Sequence, residues 1–288
     1  MPTESIVVQP TGQVCGARVT GVDLAAPLSP ETVAALRAAW LEHHVLAFGD
    51  QQLDDGDLER FTQYFGPFGD DPYIAPIADR QHVIAVRRRA DETTSLFAEN
   101  WHSDWSFQEH PPDGTVLFGV TIPPHGGDTL YADQHAALDA MPAGLRGRLE
   151  GLRAVHSARR AYAPGGEFDP ERDRDRSMDI RASESALATQ LHPIIRPHPE
   201  TRRLGIFGCA GYIVGFDGVD DEQGWQLLRE LHAWQTRDEF VYRHVWEPGM
   251  LVMWDNRSVL HKATGGYEGF DRELHRTTIG WNPAYSAG

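Results

Sequence analysis

Residues 82 to 281 constrain the fold more than any other part of the chain. They hold a succession of short runs rich in β-branched, aromatic and aliphatic residues, each closed off by Gly, Pro or a polar turn. The runs are His82 to Val86, Thr115 to Val120, Thr129 to Ala132, Leu152 to His156, Leu204 to Phe207, Phe240 to Trp246, Met250 to Trp254 and Leu274 to Trp281. They are too short for ordinary helices, and the 28 Gly and 19 Pro of the 288 residues keep interrupting them. Many short strands with frequent turns predict a sandwich or jelly roll.

Helices flank this β region. Ser29-Pro30-Glu31 is a helix start, with Ser at the cap, Pro at the first helical position and an acid in the first turn. Val33, Leu36 and Trp40 follow at helical spacing, and Val45 to Phe48 reads as a buried strand. A second helix starts at Asp54 or Asp55, places Leu58, Phe61 and Phe65 on one face and stops at Gly66-Pro67. A third spans Asp221 to Trp234. Trp40, Phe61 and Phe65 are core candidates. The pattern is mainly β with flanking helices, in one domain over residues 1–288 without an interdomain linker. Residues 159–184 break it with Pro164-Gly165-Gly166 and a charge run from Asp169 to Arg176. They read either as a solvated surface loop or as a lid over a cleft.

A net charge of −16 excludes nucleic acid as a partner, because phosphate binding needs a basic surface. A small anionic substrate needs only a few local arginines. Two cysteines, Cys15 and Cys209, exclude a disulfide scaffold and a cysteine-based metal cluster. Met1 to Ser5 lack the features of a leader, and no apolar run approaches the roughly 18 residues of a membrane span. A cytoplasmic protein without a membrane partner is expected, and a homo-oligomer is reasonable.

The chemistry centres on Trp101-His102-Ser103-Asp104. On a β-strand, positions i and i+2 face the same way, so one strand can offer an imidazole and a carboxylate to one ion. A third ligand is available in Trp254-Asp255-Asn256-Arg257-Ser258-Val259-Leu260-His261, where a strand and a polar turn lead to a histidine. Two histidines and one carboxylate leave three open positions on an octahedral ion, room for a bidentate co-substrate and dioxygen. Arg272, and Arg276 four residues on, can return on one strand to grip a dicarboxylate, and Thr129 can add a hydroxyl donor. The same residues also admit plainer roles. His102 could be a core histidine, Asp104 a turn residue and Arg276 half of a structural ion pair. His125, His192, His198, His244 and His275 are expected to be surface or supporting residues. Asp255 and Asn256 would fix the turn before His261. Tyr73, Asn100 and Phe207 are pocket candidates by position.

Trp-His-Ser-Asp, Gly126-Gly127-Asp128-Thr129, Trp-Asp-Asn-Arg-Ser-Val-Leu-His, Arg272 and Arg276 occur in that order, with 27 residues from His102 to Thr129. The chain resembles the TauD/TfdA family over roughly Gly12 to Asn282. Glu239 to His244 and Leu251 to Arg257 read closer to the chlorophenoxyacetate branch than to taurine dioxygenases. The resemblance implies a double-stranded β-helix, iron(II), 2-oxoglutarate and dioxygen. It matches His102, Asp104 and His261 to the iron ligands, and Thr129 and Arg272 to the pair on the distal carboxylate of 2-oxoglutarate. Arg276 matches an arginine near the iron that grips the substrate anion in taurine dioxygenases. Asp71 and Ile74 stand where taurine enzymes carry His and Tyr, Ala98 stands for an Asn, and the Lys of the chlorophenoxyacetate branch near Ile74 is absent. The metal and co-substrate machinery is kept while the known substrate clamps are not.

The leading function is therefore hydroxylation of a small organic acid (a carboxylate, sulfonate or phosphonate), a monoanion or an amino-bearing acid, with bond cleavage where the carbon carries an ether oxygen or sulfur. Asp71, Tyr73, Asn100 and Arg276 are the substrate-binding candidates. The alternatives are a metal-dependent hydrolase and a non-catalytic ligand-binding protein on the same scaffold. A halogenase would need an open site where Asp104 stands.

Overall fold

The computed structural model describes residues 6–172 and 174–285. The opening Met1 to Ser5 and Asp173 of the charge run lie outside the described residues. Fifteen strands run in chain order: β1 (Val7–Pro10), β2 (Ala17–Thr20), β3 (Val45–Phe48), β4 (Ile84–Arg88), β5 (Gly114–Thr121), β6 (Thr129–Asp133), β7 (Arg153–His156) and β8 (Gln190–Pro193). The others are β9 (Ile195–Pro197), β10 (Leu204–Ile206), β11 (Ile213–Phe216), β12 (Val241–His244), β13 (Leu251–Asp255), β14 (Val259–Ala263) and β15 (Arg272–Ile279). Six α-helices accompany them: α1 (Pro30–His43), α2 (Asp55–Gln63), α3 (Gln134–Asp139), α4 (Ala143–Leu149), α5 (Arg159–Tyr162) and α6 (Asp221–Gln235). None is long and apolar enough to cross a membrane.

The seven-stranded sheet has the order β1-β2-β3-β13-β5-β15-β4, and a second sheet has the order β12-β6-β14. Every residue of β3 and β13 is buried, because both faces of the large sheet are covered. Leu46, Phe48, Leu251 and Met253 face α1 and α2 in one apolar cluster with Trp40, Phe61 and Phe65. Their neighbours Val45, Ala47, Val252 and Trp254 face the other way, toward Tyr131, Tyr242 and Val259 of the second sheet. Two sheets closed over such a core form the jelly roll predicted from the strand pattern. Each fully buried large side chain contributes roughly 1.5–3 kcal/mol.

The helix starts are those the sequence signals. Ser29 Oγ accepts the Thr32 N–H at 3.1 Å, and Asp54 and Asp57 form a reciprocal capping box. The second helix ends at Gln63, short of Gly66-Pro67, and a turn through Tyr64 and Phe65 completes the distance.

Residues 159–184 are not a freely solvated loop. Ala161, Tyr162, Phe168, Met178 and Ile180 are buried in one cluster with Tyr73, Trp105 and Tyr212, while Glu171, Arg172, Arg174 and Asp175 face solvent. Glu92 ties the segment down. Its carboxylate accepts the Ser177 N–H at 2.9 Å, the Ser177 hydroxyl and the Thr94 hydroxyl. Burial raises the Glu92 pKa, but these donors outweigh it and bring it below the ordinary value.

Candidate active site

One expectation about local structure fails. His102 and Asp104 do not share a strand. His102 makes a single reciprocal bridge with His261: its N–H donates to the His261 carbonyl at 3.0 Å, and its carbonyl accepts the His261 N–H at 2.8 Å. The chain then turns, and Asp104 lies in that turn, beside Trp105 at φ 47°. The turn brings the carboxylate back to both imidazoles, so the ligand set forms by another route. Asp104 Oδ1 lies 3.5 Å from His102 Nε2 and 3.6 Å from His261 Nε2. One ligand atom from each of the three residues lies within 4.8 Å of the others.

The surroundings prepare these atoms for a cation. His102 Nδ1 sits 2.8 Å from the Asn100 carbonyl, which only accepts, so Nδ1 carries the proton and Nε2 offers its lone pair. Burial, then the neighbouring His102, push the His261 imidazole down to about 3, which keeps it neutral. Burial alone would raise the Asp104 pKa; His261, His102 and Arg276 overcome it and hold the carboxyl well below its usual range. A buried carboxylate facing two imidazole nitrogens fits a divalent metal.

A chain of hydrogen bonds orients Asp104. Trp254 Nε1 donates to Asn256 Oδ1 at 2.9 Å, Asn256 Nδ2 to Thr115 Oγ1 at 2.9 Å, and Thr115 to Asp104 Oδ2 at 2.6 Å. The Asn256 side chain therefore serves Asp104, not the turn that sequence reasoning gave it. Asp255 does fix that turn, accepting from the Arg257 N–H at 2.8 Å, from the Arg257 guanidinium and from His198 Nε2 at 2.9 Å. His198 is thus a supporting residue, as expected. His192 and His244 are also buried, whereas His125 is exposed and His275 half-buried.

Arg272, Leu274 and Arg276 alternate inward along β15, as the spacing predicted. They line one cavity with Thr129, Leu117, Trp254, His102 and His261. Arg272 is buried and makes no ion pair among the described residues. Its Nη2 donates to the Gly127 carbonyl at 2.9 Å, and its Nε has no partner. Burial lowers its pKa. Trp246 Nε1 donates to Thr129 Oγ1 at 3.0 Å, which leaves the Thr129 proton free for another acceptor. A buried guanidinium without an anion, beside a free hydroxyl donor, is a receptor for a carboxylate. Gly127 makes room for it: at φ 69° a Cβ there would lie 2.8 Å from Arg272 Nε.

Arg276 differs. It forms an ion pair with Asp71, whose Oδ1 also accepts the Trp105 indole N–H at 2.8 Å. The structural ion pair weighed for Arg276 from the sequence is therefore present, and Asp71, read as a substrate contact, is its partner. The remaining substrate candidates separate. Asn100 lines an outer chamber that shares His102, Phe97 and Ala98 with the inner cavity. Tyr73 is buried outside both, stacked on Tyr162 with ring centroids 4.8 Å apart. Phe207 packs on His156 and under the Arg196 guanidinium, away from either cavity. Sequence reasoning missed Thr115, Trp246, Tyr162, Tyr212 and Lys262. For Thr115 and Trp246 no local signal existed, since both act across long sequence separations.

This fold and site define a metal-centred oxygenase architecture with a carboxylate cradle in the same cavity. The comparisons with known proteins agree. The sequence model of the taurine catabolism dioxygenase TauD, TfdA family matches residues 7–278, and the chain belongs to that family. It is 34% identical to an alpha-ketoglutarate-dependent 2,4-dichlorophenoxyacetate dioxygenase of Cupriavidus pinatubonensis, over 95% of this chain and 97% of that one. It is 33% identical to an alkylsulfatase of Acinetobacter baylyi, over 96% and 86%. Among solved structures, a taurine dioxygenase from Burkholderia xenovorans superposes with a TM-score of 0.79 at 31% identity, covering 96% and 92% of the two chains. AAD-2 in complex with Mn(II) and N-oxalylglycine gives 0.77 at 26%, covering 96% and 98%. The chain is a 2-oxoglutarate-dependent oxygenase.

Proposed function

We propose that the chain is an iron(II)-dependent dioxygenase that hydroxylates a small organic acid, with cleavage where the hydroxylated carbon carries an ether oxygen or sulfur. One observation carries the reading: His102 and His261, clustered with Asp104, line a single cavity with Thr129 and with Arg272, which makes no ion pair among the described residues. His102, Asp104 and His261 would hold the metal from one side, and Arg272 and Thr129 the far carboxylate of 2-oxoglutarate. When bound, these groups supply the oxidant, so that C–H, 2-oxoglutarate and dioxygen become C–OH, succinate and carbon dioxide. Leu117, Trp254 and Leu274 line the cavity with apolar surface that excludes water. The names of the relatives, a phenoxyacetate dioxygenase and an alkylsulfatase, support an anionic substrate. A metal-dependent hydrolase would have no use for the Arg272 cradle, and a passive binding protein would have none for the His102–Asp104–His261 set.

Anaerobic addition of ferrous ion and 2-oxoglutarate tests the reading. A visible charge-transfer band that requires both is expected, and its absence would sink the proposal. The reading also includes a single domain with residues 159–184 as a loop or lid, and a cytoplasmic location, supported by two free buried cysteines. It includes a homo-oligomer, supported by exposed apolar residues such as Val7 and Val245 and checked by sedimentation.

A further inference from the structure

Arg276 reaches the metal end of the cavity, its Nη1 3.9 Å from the Asp104 oxygen that faces both histidines. Its counter-ion is already in place. Asp71 is held by Arg276 and by the Trp105 indole N–H, and the Asp71–Arg276 pair is withdrawn from water. With Asp104 taken up by the metal, a substrate anion arriving there would still meet the Asp71 carboxylate already seated on the guanidinium that would have to receive it. Like charges so close in a low-dielectric site repel strongly.

The outer chamber offers another cation. It has a volume of about 560 Å³ and is walled in part by Tyr162, Phe168 and Tyr212. Lys262 follows the ligand His261 on β14 and lines this chamber. Its ammonium lies 5.6 Å from the Trp101 ring and makes no ion pair among the described residues. Arg160 lines the chamber too, but its guanidinium is engaged by the Ala210 carbonyl at 3.0 Å and the Trp225 ring at 4.6 Å. Glu99 and Glu167 also line it.

We infer that the primary substrate is an organic acid whose anionic group is remote from the carbon that reacts. Its uncharged end lies at the metal beside the neutralised Asp71–Arg276 pair, and its anion meets Lys262 in the outer chamber. This rests on the oxygenase reading above. An aryloxyacetate, whose reacting carbon is bonded to the carboxylate, would have to bring its charge against Asp71.

The test is calorimetric binding to the protein loaded with Mn(II) and N-oxalylglycine. The probes are octanoate, its neutral methyl ester and 2,4-dichlorophenoxyacetate. Octanoate is expected to bind wild type at least tenfold tighter than 2,4-dichlorophenoxyacetate. Lys262→Met should weaken octanoate at least tenfold and methyl octanoate less than threefold. Asp71→Asn should tighten 2,4-dichlorophenoxyacetate at least tenfold by freeing Arg276. If Asp71→Asn does not fold, the Lys262→Met comparison decides alone. Unchanged octanoate affinity in Lys262→Met overturns the inference, and so does binding of neither acid. Failure of Mn(II) and N-oxalylglycine to bind wild type would instead strike the oxygenase reading itself.

Discussion

Arg272 and Arg276 lie four residues apart on the same face of one strand, yet the fold treats them in opposite ways. Arg272 is buried with no counter-ion and an unpartnered Nε. Arg276 is buried with Asp71 already on its guanidinium. Burial lowers the pKa of Arg272, whereas Asp71 and Asp104 together raise that of Arg276 against the same penalty. A buried cation without an anion is a debt that a ligand can settle, and a buried cation with one is part of the scaffold. Two chemically identical side chains thus divide, through their neighbours alone, into one without a counter-ion among the described residues and one with Asp71 on it.

The largest effect that would break this contrast is on stability. Arg276→Met leaves the Asp71 carboxylate buried without its cation, and about 3–5 kcal/mol of unfolding free energy should be lost. Arg276→Met combined with Asp71→Asn should recover most of it, as measured by denaturant melts. The pH dependence has a definite sign. Burial, ahead of the opposing Arg276, already raises the Asp71 pKa, and loss of Arg276 raises it further. An acid whose folded pKa lies above its unfolded value takes up a proton more readily when folded. The deficit of Arg276→Met should therefore shrink as the pH falls through the folded pKa. A deficit that grows there would refute the structural role.

Arg272→Met should behave in the opposite way. With the metal bound, 2-oxoglutarate affinity should fall by about 2–5 kcal/mol, about thirtyfold to several-thousandfold. Stability without ligand should not fall, because an uncompensated charge has been removed. Titration of 2-oxoglutarate and a melting curve check the two halves, and a ligand-free loss as large as that of Arg276→Met would erase the contrast.

Thr115→Val acts on Asp104, which lies beside Arg276, and removes the hydroxyl that orients its Oδ2. Metal affinity should drop about 10–100-fold, read by Mn(II) titration. An unchanged affinity would mean that the Trp254–Asn256–Thr115 chain only fills space. The smallest expected effect is at the mouth of the cavity. Glu92→Gln weakens the tie to Ser177 and should speed protease cleavage within residues 159–184, while overall stability changes by no more than about 1 kcal/mol. Unaltered cleavage would show that the apolar residues Phe168, Met178 and Ile180 hold the segment unaided.

The sequence read most clearly where structure is local and periodic. The starts of α1 and α2 follow from capping residues next in the chain, and α6 from its apolar spacing. The runs around β5, β6, β12, β13 and β15 were visible within a residue or two. The N-terminal strands β1 and β2, the short strands β8, β9 and β11, and the short helices α3 and α4 were not, because three to seven residues hold too little periodicity to register. His102 to Asp104 read as strand because an i, i+2 pair is shared by strands and turns. The bridge to His261 that stops the strand lies 159 residues away, as 261 − 102 shows.

The sequence by itself offered the candidate donor set, the candidate cradle residues and their order along the chain, since these depend on side-chain chemistry and on the two-residue period of β15. It also placed Gly127, whose missing Cβ is a chemical fact before it is a structural one. Only the tertiary structure decided which arginine stays open. That choice depends on Asp71, 205 residues before Arg276, arriving at one guanidinium and not the other. Electrostatic identity inside a protein is set by distances of a few ångströms between segments remote in sequence, and neither spacing nor composition carries that information.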